Sequence, residues 1–217
     1  MTERHDSFHV KVCGLTRPDD VELAIVAGAD LLGFNFVPSS PRCLDVQLAQ
    51  ALARVALGRA RIVGVFADED AESIRHIAAN VPLDFIQLHG HESPEFVAAL
   101  GTSAFKAVAI GSPADVEFAK TYPGDLLLVD AQVRGQFGGT GMRIDPALVA
   151  PLARLRPLLL AGGLRPENVA DAVHHVRPRG VDVASGVEKS PGIKDPDLMH
   201  RFVSEARRAA REILEEE

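Results

Sequence analysis

The sequence predicts a single (β/α)₈ barrel, on three observations. Eight short, β-branched apolar runs alternate with helix-like segments along the chain. No linker or low-complexity stretch interrupts that alternation. The length of 217 residues suits one closed barrel better than one small domain or two separate ones. Strand–helix alternation implies parallel pairing through right-handed crossovers, and eight such units favour closure over an open doubly wound sheet.

The predicted strands are His9–Cys13, Leu31–Phe36, Arg61–Phe66, Phe85–Leu88, Ala104–Ala109, Leu126–Asp130, Pro157–Ala161 and Val181–Ala184. The helices between them are Pro18–Ala27, Val46–Ala56, Glu69–Ala79, Pro94–Leu100, Ala114–Lys120, Pro146–Leu155 and Pro166–Val176. Pro18, Pro94, Pro146 and Pro166 each sit early in a helix, where a missing N–H costs nothing. The residues ahead of two of them, Asp145 and Arg165, need not both be good caps. The last helix, Pro196–Leu214, carries apolar residues at Leu198, Phe202, Ala206, Ala210 and Leu214 with charges between, the pattern of a helix lying on a barrel. The whole of residues 1–217 is expected to be one domain, with 1–7 a flexible extension.

Composition narrows the function. Apolar residues make up 47%, close to the globular norm. There is no run of about 20 apolar residues, so no membrane span is expected. The net charge of −7, without a basic stripe, argues against nucleic acid as a partner. Met1 to His9 is polar and lacks the basic start and apolar stretch of a signal peptide, so a cytoplasmic location is expected. The two cysteines, Cys13 and Cys43, are too few for a disulfide scaffold. Neither has a metal-ligand neighbour at usual spacing, and Cys43 reads as structural. Oligomeric state is open between monomer and homodimer.

Barrel chemistry sits where strands end and βα loops begin. After the seventh strand comes Ala161-Gly162-Gly163-Leu164, and after the eighth Ala184-Ser185-Gly186-Val187. Glycines there let the backbone approach a ligand, and free N–H groups at a helix start favour an anion. Loops seven and eight are where barrels commonly hold phosphate. Gly162, Gly163, Ser185 and Gly186 are therefore candidate phosphate contacts, against the bland alternative of two glycine turns. A third glycine loop, Gly135 to Gly141 with Gly139 inside it, follows the sixth strand. It reads either as a lid that closes over substrate or as a surface loop. It lacks the Gly-Lys-Ser/Thr ending of a Walker loop.

Cys13 ends the first strand and Asp130 the sixth. Period-two alternation puts Lys11 with Cys13 on one face, and Leu126, Leu128 and Asp130 on one face of the other strand. If both faces point inward, a thiol and a carboxyl look across one cavity. A thiolate acts as a general base when its charge is stabilised, which Lys11 can do. The competing readings are a small buried hydrophobe for Cys13 and a helix cap for Asp130. Asp182 lies near the end of the eighth strand, beside the first on closure. It is positioned to pair with Lys11, as a functional or a purely structural ion pair, and counts among the substrate-site candidates. Arg42, in Pro38-Ser39-Ser40-Pro41-Arg42, has a guanidinium suited to forking onto a carboxylate, although most loop arginines are merely solvated. His89 either lines the pocket or caps the fourth strand.

Taken together, these segments resemble the phosphoribosylanthranilate isomerase family of tryptophan biosynthesis. The resemblance rests on Lys11-Val12-Cys13-Gly14-Leu15-Thr16, Gly33-Phe34-Asn35-Phe36 with Ser40-Pro41-Arg42, Gly64-Val65-Phe66, Gln87-Leu88-His89-Gly90, and Gly138-Gly139-Thr140-Gly141. It continues through Ala161-Gly162-Gly163-Leu164 with Pro166-Glu167-Asn168-Val169, and Val181 to Glu188 with Pro191-Gly192-Ile193-Lys194-Asp195. The motifs run in order from about residue 9 to 205.

The resemblance implies a cofactor-free, metal-free Amadori rearrangement of a small phosphorylated substrate, with Cys13 as base and Asp130 as acid. It also implies that Arg42 holds the anthranilate carboxylate and that the loops at Gly162-Gly163 and Ser185-Gly186 hold phosphate. Two positions depart from the family pattern: Ala184 replaces a frequent second serine, and Asp130-Ala131-Gln132 replaces a more usual Asp-Thr/Ser-Lys. Two rivals stand beside this reading. A sugar-phosphate epimerase would need metal ligands at several strand ends. A regulatory barrel would bind phosphoribosyl compounds without turnover.

Overall fold

The computed structural model describes residues 8–130 and 145–215. The extension expected at 1–7 and the glycine loop holding Gly139 lie outside those residues. Eight parallel strands close into a barrel in chain order. They are β1 (His9–Cys13), β2 (Leu31–Asn35), β3 (Arg61–Phe66), β4 (Phe85–Leu88), β5 (Ala104–Ala109), β6 (Leu127–Asp130), β7 (Leu158–Ala161) and β8 (Gly180–Val183). Closure is the pairing of β1 with β8, which sets Lys11 beside Asp182 and Val12 beside Val183.

The helices are α1 (Pro18–Ala27), α2 (Val46–Ala56), α3 (Ala71–Asn80), α4 (Pro94–Ala99), α5 (Pro113–Ala119), α6 (Pro146–Leu155), α7 (Val169–Val176) and α8 (Pro196–Glu215). Proline does open α1, α4 and α6. Ahead of α6, Asp145 is a working cap, its carboxylate accepting from the Ala147 N–H at 2.9 Å.

Three helix starts differ from the prediction: α3 begins two residues late, α5 one residue early, and α7 departs by the largest margin. Pro166 lies in a turn ahead of α7, which begins only at Val169. The Asn168 side chain explains the delay. It accepts from the Arg165 N–H at 2.7 Å and donates to the Gly163 carbonyl at 3.1 Å, so local side-chain bonds take the place of a first helical turn. The region after β8 also holds elements that the strand count passes over. Ser185–Val187 forms a 3₁₀ turn, and β9 (Glu188–Ser190) pairs antiparallel with β10 (Ile193–Lys194).

Two apolar layers hold the barrel. Leu31, Val63, Phe105, Ala107, Leu128, Leu159 and Ala161 form a cluster inside the strands. A larger cluster lies between strands and helices, and to it α8 contributes Met199, Phe202, Val203 and Ala206. Laterally paired residues of neighbouring strands share a face. Cys13 pairs with Gly33, which pairs with the interior Val63, and Asp130 pairs with the interior Ala161. Both side chains therefore point into the barrel. In a parallel barrel the strand ends that carry them lie at one rim.

Among the described residues, no helix is long and apolar enough to cross a membrane.

Candidate active site

Inside β1, Lys11 is fully buried, and its Nζ lies 2.9 Å from Asp182 Oδ1. Burial alone would strip the ammonium of its proton. The Asp182 carboxylate and the Cys13 sulfur outweigh that and raise its pKa. Removing one partner of such a pair typically costs about 3–5 kcal/mol, because the other is left buried and uncompensated.

Cys13 sits one side-chain step above, 8% exposed. Its Sγ presses against Gly33, where any Cβ would collide with it. Burial pushes the thiol pKa upward, against the pull of the Lys11 and Lys194 ammonium groups. Lys11 is also within hydrogen-bonding reach of the sulfur. The thiol is thus mostly protonated in the ligand-free protein, with a cation beside it to receive the thiolate.

Asp130 ends β6 at the same rim. His89, just past β4, brings its Nε2 to 3.6 Å from Asp130 Oδ2. The ring's other nitrogen meets the Gln87 amide at 3.3 Å. His89 is therefore a neighbour of Asp130, not a cap at its own strand end. It is held from behind by Lys106, a buried lysine on the helix-facing side of β5. Lys106 Nζ donates to the carbonyls on either side of His89, Leu88 at 3.2 Å and Gly90 at 2.8 Å, and stands 3.3 Å from Glu92 Oε2.

On the opposite side, loops seven and eight meet closely. Gly162 and Gly163 adopt φ of 93° and 66°, the left-handed region that glycine enters freely. Gly186 lies so near the Leu164 carbonyl that a Cβ there would overlap it. Gly162, Gly163, Ser185 and Gly186 thereby form one edge of the rim, around the 3₁₀ turn. Gly139 lies outside the described residues.

Arg42 reaches this rim from the loop after β2. Its Nε and Nη2 donate to Glu188 Oε1 and Oε2 at 2.8 and 2.6 Å. Glu188 also receives Lys194 Nζ at 2.9 Å. Burial alone would raise the Glu188 pKa, but hydrogen bonds from Arg42 and Lys194 outweigh it and hold the carboxyl below its usual range.

The expected residues Lys11, Cys13, Arg42, His89, Asp130, Gly162, Gly163, Asp182, Ser185 and Gly186 thus converge on one end of the barrel. Reasoning from the sequence had assigned no part to Lys106, Glu188 or Lys194. Lys106 carries a signal, a lone charge in the middle of the apolar run Ala104–Ala109. Glu188 and Lys194 fall within segments that carry the family resemblance, but their pairing is not legible there, because the β9–β10 hairpin that aims them is not written in strand periodicity. Cys43, next to Arg42 in the chain, is exposed, and its backbone bridges to Asn35. Among the described residues, no three His, Cys, Asp or Glu side chains converge as a metal site requires. A surface cavity of about 430 Å³, lined by Arg154, Arg156, Arg177 and Arg179 among others, lies at the opposite end of the barrel.

Comparison with known proteins shows similarity to one family over nearly the whole chain. Residues 10–205 match the family model of N-(5'phosphoribosyl)anthranilate (PRA) isomerase. An N-(5'-phosphoribosyl)anthranilate isomerase from Myxococcus xanthus is 47% identical over 206 residues, covering 93% of this chain and 97% of the relative. A crystal structure of phosphoribosyl anthranilate isomerase in complex with reduced 1-(o-carboxyphenylamino)-1-deoxyribulose 5-phosphate superposes with a TM-score of 0.82 at 35% identity, covering 93% of this chain and 99% of the other. The Thermotoga maritima phosphoribosyl anthranilate isomerase gives a TM-score of 0.83 at 36% identity, over 93% and 99% of the two chains.

Proposed function

The chain belongs to the N-(5'-phosphoribosyl)anthranilate isomerase family, and from that premise we propose that it catalyses the aldose–ketose isomerisation of N-(5-phosphoribosyl)anthranilate in tryptophan biosynthesis. The product is 1-(2-carboxyphenylamino)-1-deoxyribulose 5-phosphate. What supports this reading most is the thiol of Cys13 and the carboxyl of Asp130 facing inward at one rim, which an arginine and two glycine loops also border.

In the proposed reaction Asp130 gives a proton to the ribose ring oxygen. The aniline nitrogen lone pair expels that oxygen from C1′, and an iminium forms. Cys13, as thiolate, then takes the proton from C2′. The released electron pair becomes the C1′–C2′ double bond, and the iminium π electrons return to nitrogen. The resulting enolamine tautomerises to the ketone: C1′ takes a proton from the Cys13 thiol and the C2′ hydroxyl returns one to Asp130, which restores both groups. Lys11 stabilises the thiolate, and Asp182 keeps Lys11 charged and in place. His89 lines the pocket beside the acid. The substrate carboxylate pairs with Arg42. Phosphate binds at the loops carrying Gly162, Gly163, Ser185 and Gly186.

The direct test is loss of phosphoribosylanthranilate fluorescence with a chelator present. Turnover that survives the chelator is expected. A protein that binds the substrate without converting it would favour the regulatory barrel, and turnover abolished by the chelator would favour the metal-dependent rival.

Two further outcomes follow from the site. Arg42→Ala removes a charged hydrogen-bond donor worth about 1.5–3 kcal/mol. It is expected to raise KM roughly 10- to 100-fold with a smaller change in kcat, as for a contact made equally in ground and transition states. Unchanged KM and kcat would remove Arg42 from the site. The second outcome concerns the free thiol. The thiolate is the nucleophile in alkylation, and burial raises the Cys13 pKa. Peptide-resolved alkylation of Cys13 in the ligand-free protein should therefore speed up with pH through a midpoint above the ordinary cysteine value of about 8.5. A midpoint below neutrality would mean that Lys11 outweighs burial, the reverse of the order proposed.

A further inference from the structure

Glu188 is the most fully engaged carboxylate of the rim. Its side chain is 4% exposed, and it faces two cations, Arg42 and Lys194, and the Gly192 N–H at 3.4 Å. Lys194 is saturated as well. Its Nζ donates to Glu188 Oε1 at 2.9 Å, to the Cys13 carbonyl at 2.6 Å and to the Ala184 carbonyl at 3.1 Å. An ammonium has three protons, so Lys194 has none left for a ligand. Arg42 differs. A guanidinium carries five N–H groups in a planar fork, and side-on pairing through Nε and Nη2 leaves its Nη1–Nη2 edge. Two cations around one carboxylate leave the cluster one positive charge in excess, which suits an anion at that edge. The arm packs over Gly14, where a Cβ would collide with its Cδ.

We infer that Glu188 is a positioning residue for recognition of the substrate's aromatic carboxylate. It holds the Nε–Nη2 edge of Arg42 so that the other edge faces the substrate. Through Lys194 it locks that aim to the strand end bearing Cys13 and to the phosphate loop at Ala184. An arginine held in its binding conformation does not lose rotamer freedom when ligand arrives, so each hydrogen bond it makes is worth more. Without the carboxylate, Arg42 and Lys194 repel one another, and Arg42 is free to turn toward solvent. The inference rests on the function proposed above and adds a determinant of specificity to it.

Glu188→Gln keeps the shape, removes the charge and points an amide donor at a cation. The readout is binding by calorimetry of two ligands: reduced 1-(o-carboxyphenylamino)-1-deoxyribulose 5-phosphate, the ligand held by a solved relative, and its phenyl counterpart lacking the carboxylate. The unsubstituted protein should prefer the carboxylated ligand roughly 10- to 100-fold, the range of a charged hydrogen bond. Glu188→Gln should lose most of that preference while the Kd of the phenyl ligand stays within about threefold. In an Arg42→Ala background it should change the preference no further, the non-additivity expected of residues acting as one unit. Equal weakening of both ligands would mean a general loosening of the rim and overturn the inference. So would a preference that survives Glu188→Gln, or additive losses in the double variant. Should Glu188→Gln not fold, Glu188→Asp, with its carboxylate one methylene short, is read on the same two ligands. An unsubstituted protein that turns over phosphoribosylanthranilate while its Glu188 variants keep the preference sinks this inference alone. One that neither binds these ligands nor turns over substrate sinks the proposed function, and this inference with it.

Discussion

Cys13→Ser is expected to lower kcat by at least about 10²-fold, the lower end of what a positioned general base contributes. The substitution is nearly isosteric. The smaller oxygen fits against Gly33, where the sulfur leaves no room for a Cβ, and it leaves the Lys11–Asp182 pair intact. Only the acidity changes. A hydroxyl beside one ammonium stays protonated throughout the working pH range, so no base remains to take the C2′ proton. Substrate binding should be little altered, because the contacts proposed for its carboxylate and phosphate lie elsewhere on the rim. Proton abstraction should then limit the rate, and substrate deuterated at C2′ should react more slowly than protiated substrate. Near-normal turnover with a normal melting curve would take Cys13 out of the mechanism.

Asp130→Asn should produce a loss of similar size for a different reason. The amide occupies the same space and can still meet His89, 3.6 Å away in the native pair, but it has no proton to give the ring oxygen. Ring opening becomes limiting, and the deuterium effect at C2′ should shrink instead of growing. The two variants therefore share a rate loss but move the isotope effect in opposite directions. Two inert surface substitutions, or two merely destabilising ones, would not do that. Ring opening at the native rate in Asp130→Asn would defeat the assignment of the acid, and His89 would be the next residue to replace.

The contrast between the proposed acid and base traces to how each is held. Cys13 is enclosed in the interior beside a cation, whereas Asp130 is partly open at the rim. A buried base is scarce as thiolate before substrate arrives but strong once formed. This is the balance that acid–base catalysis sets between the population of the active form and its basicity.

Much of this was legible without coordinates because it depends on local patterns. A strand of a parallel barrel is covered on both faces, so it reads as a short apolar run, and all eight runs appear within a residue of their observed ends. Which residues stand at the strand ends follows from counting along those runs, and it places Cys13 and Asp130 at the same rim. The ion pair of Lys11 with Asp182 follows from closure alone, since β1 must lie beside β8. The late start of α7 was not legible. There Asn168 outcompetes the helical pattern through its own bonds, and a proline early in a turn looks the same whether or not a helix follows at once.

The sequence by itself determined the barrel and the order of its strands, whereas the observed register showed that the faces bearing Cys13 and Asp130 point inward. Periodicity and strand count are properties of neighbours along the chain. Only the tertiary structure decided what Arg42, Glu188 and Lys194 do together. Arg42 and Glu188 stand 146 positions apart, and Lys194 reaches the Cys13 carbonyl across 181. Charged side chains at such separations leave no trace in local hydropathy. Their pairing is set by where the loops over two distant strand ends meet, and by the need of a buried carboxylate for partners on every side.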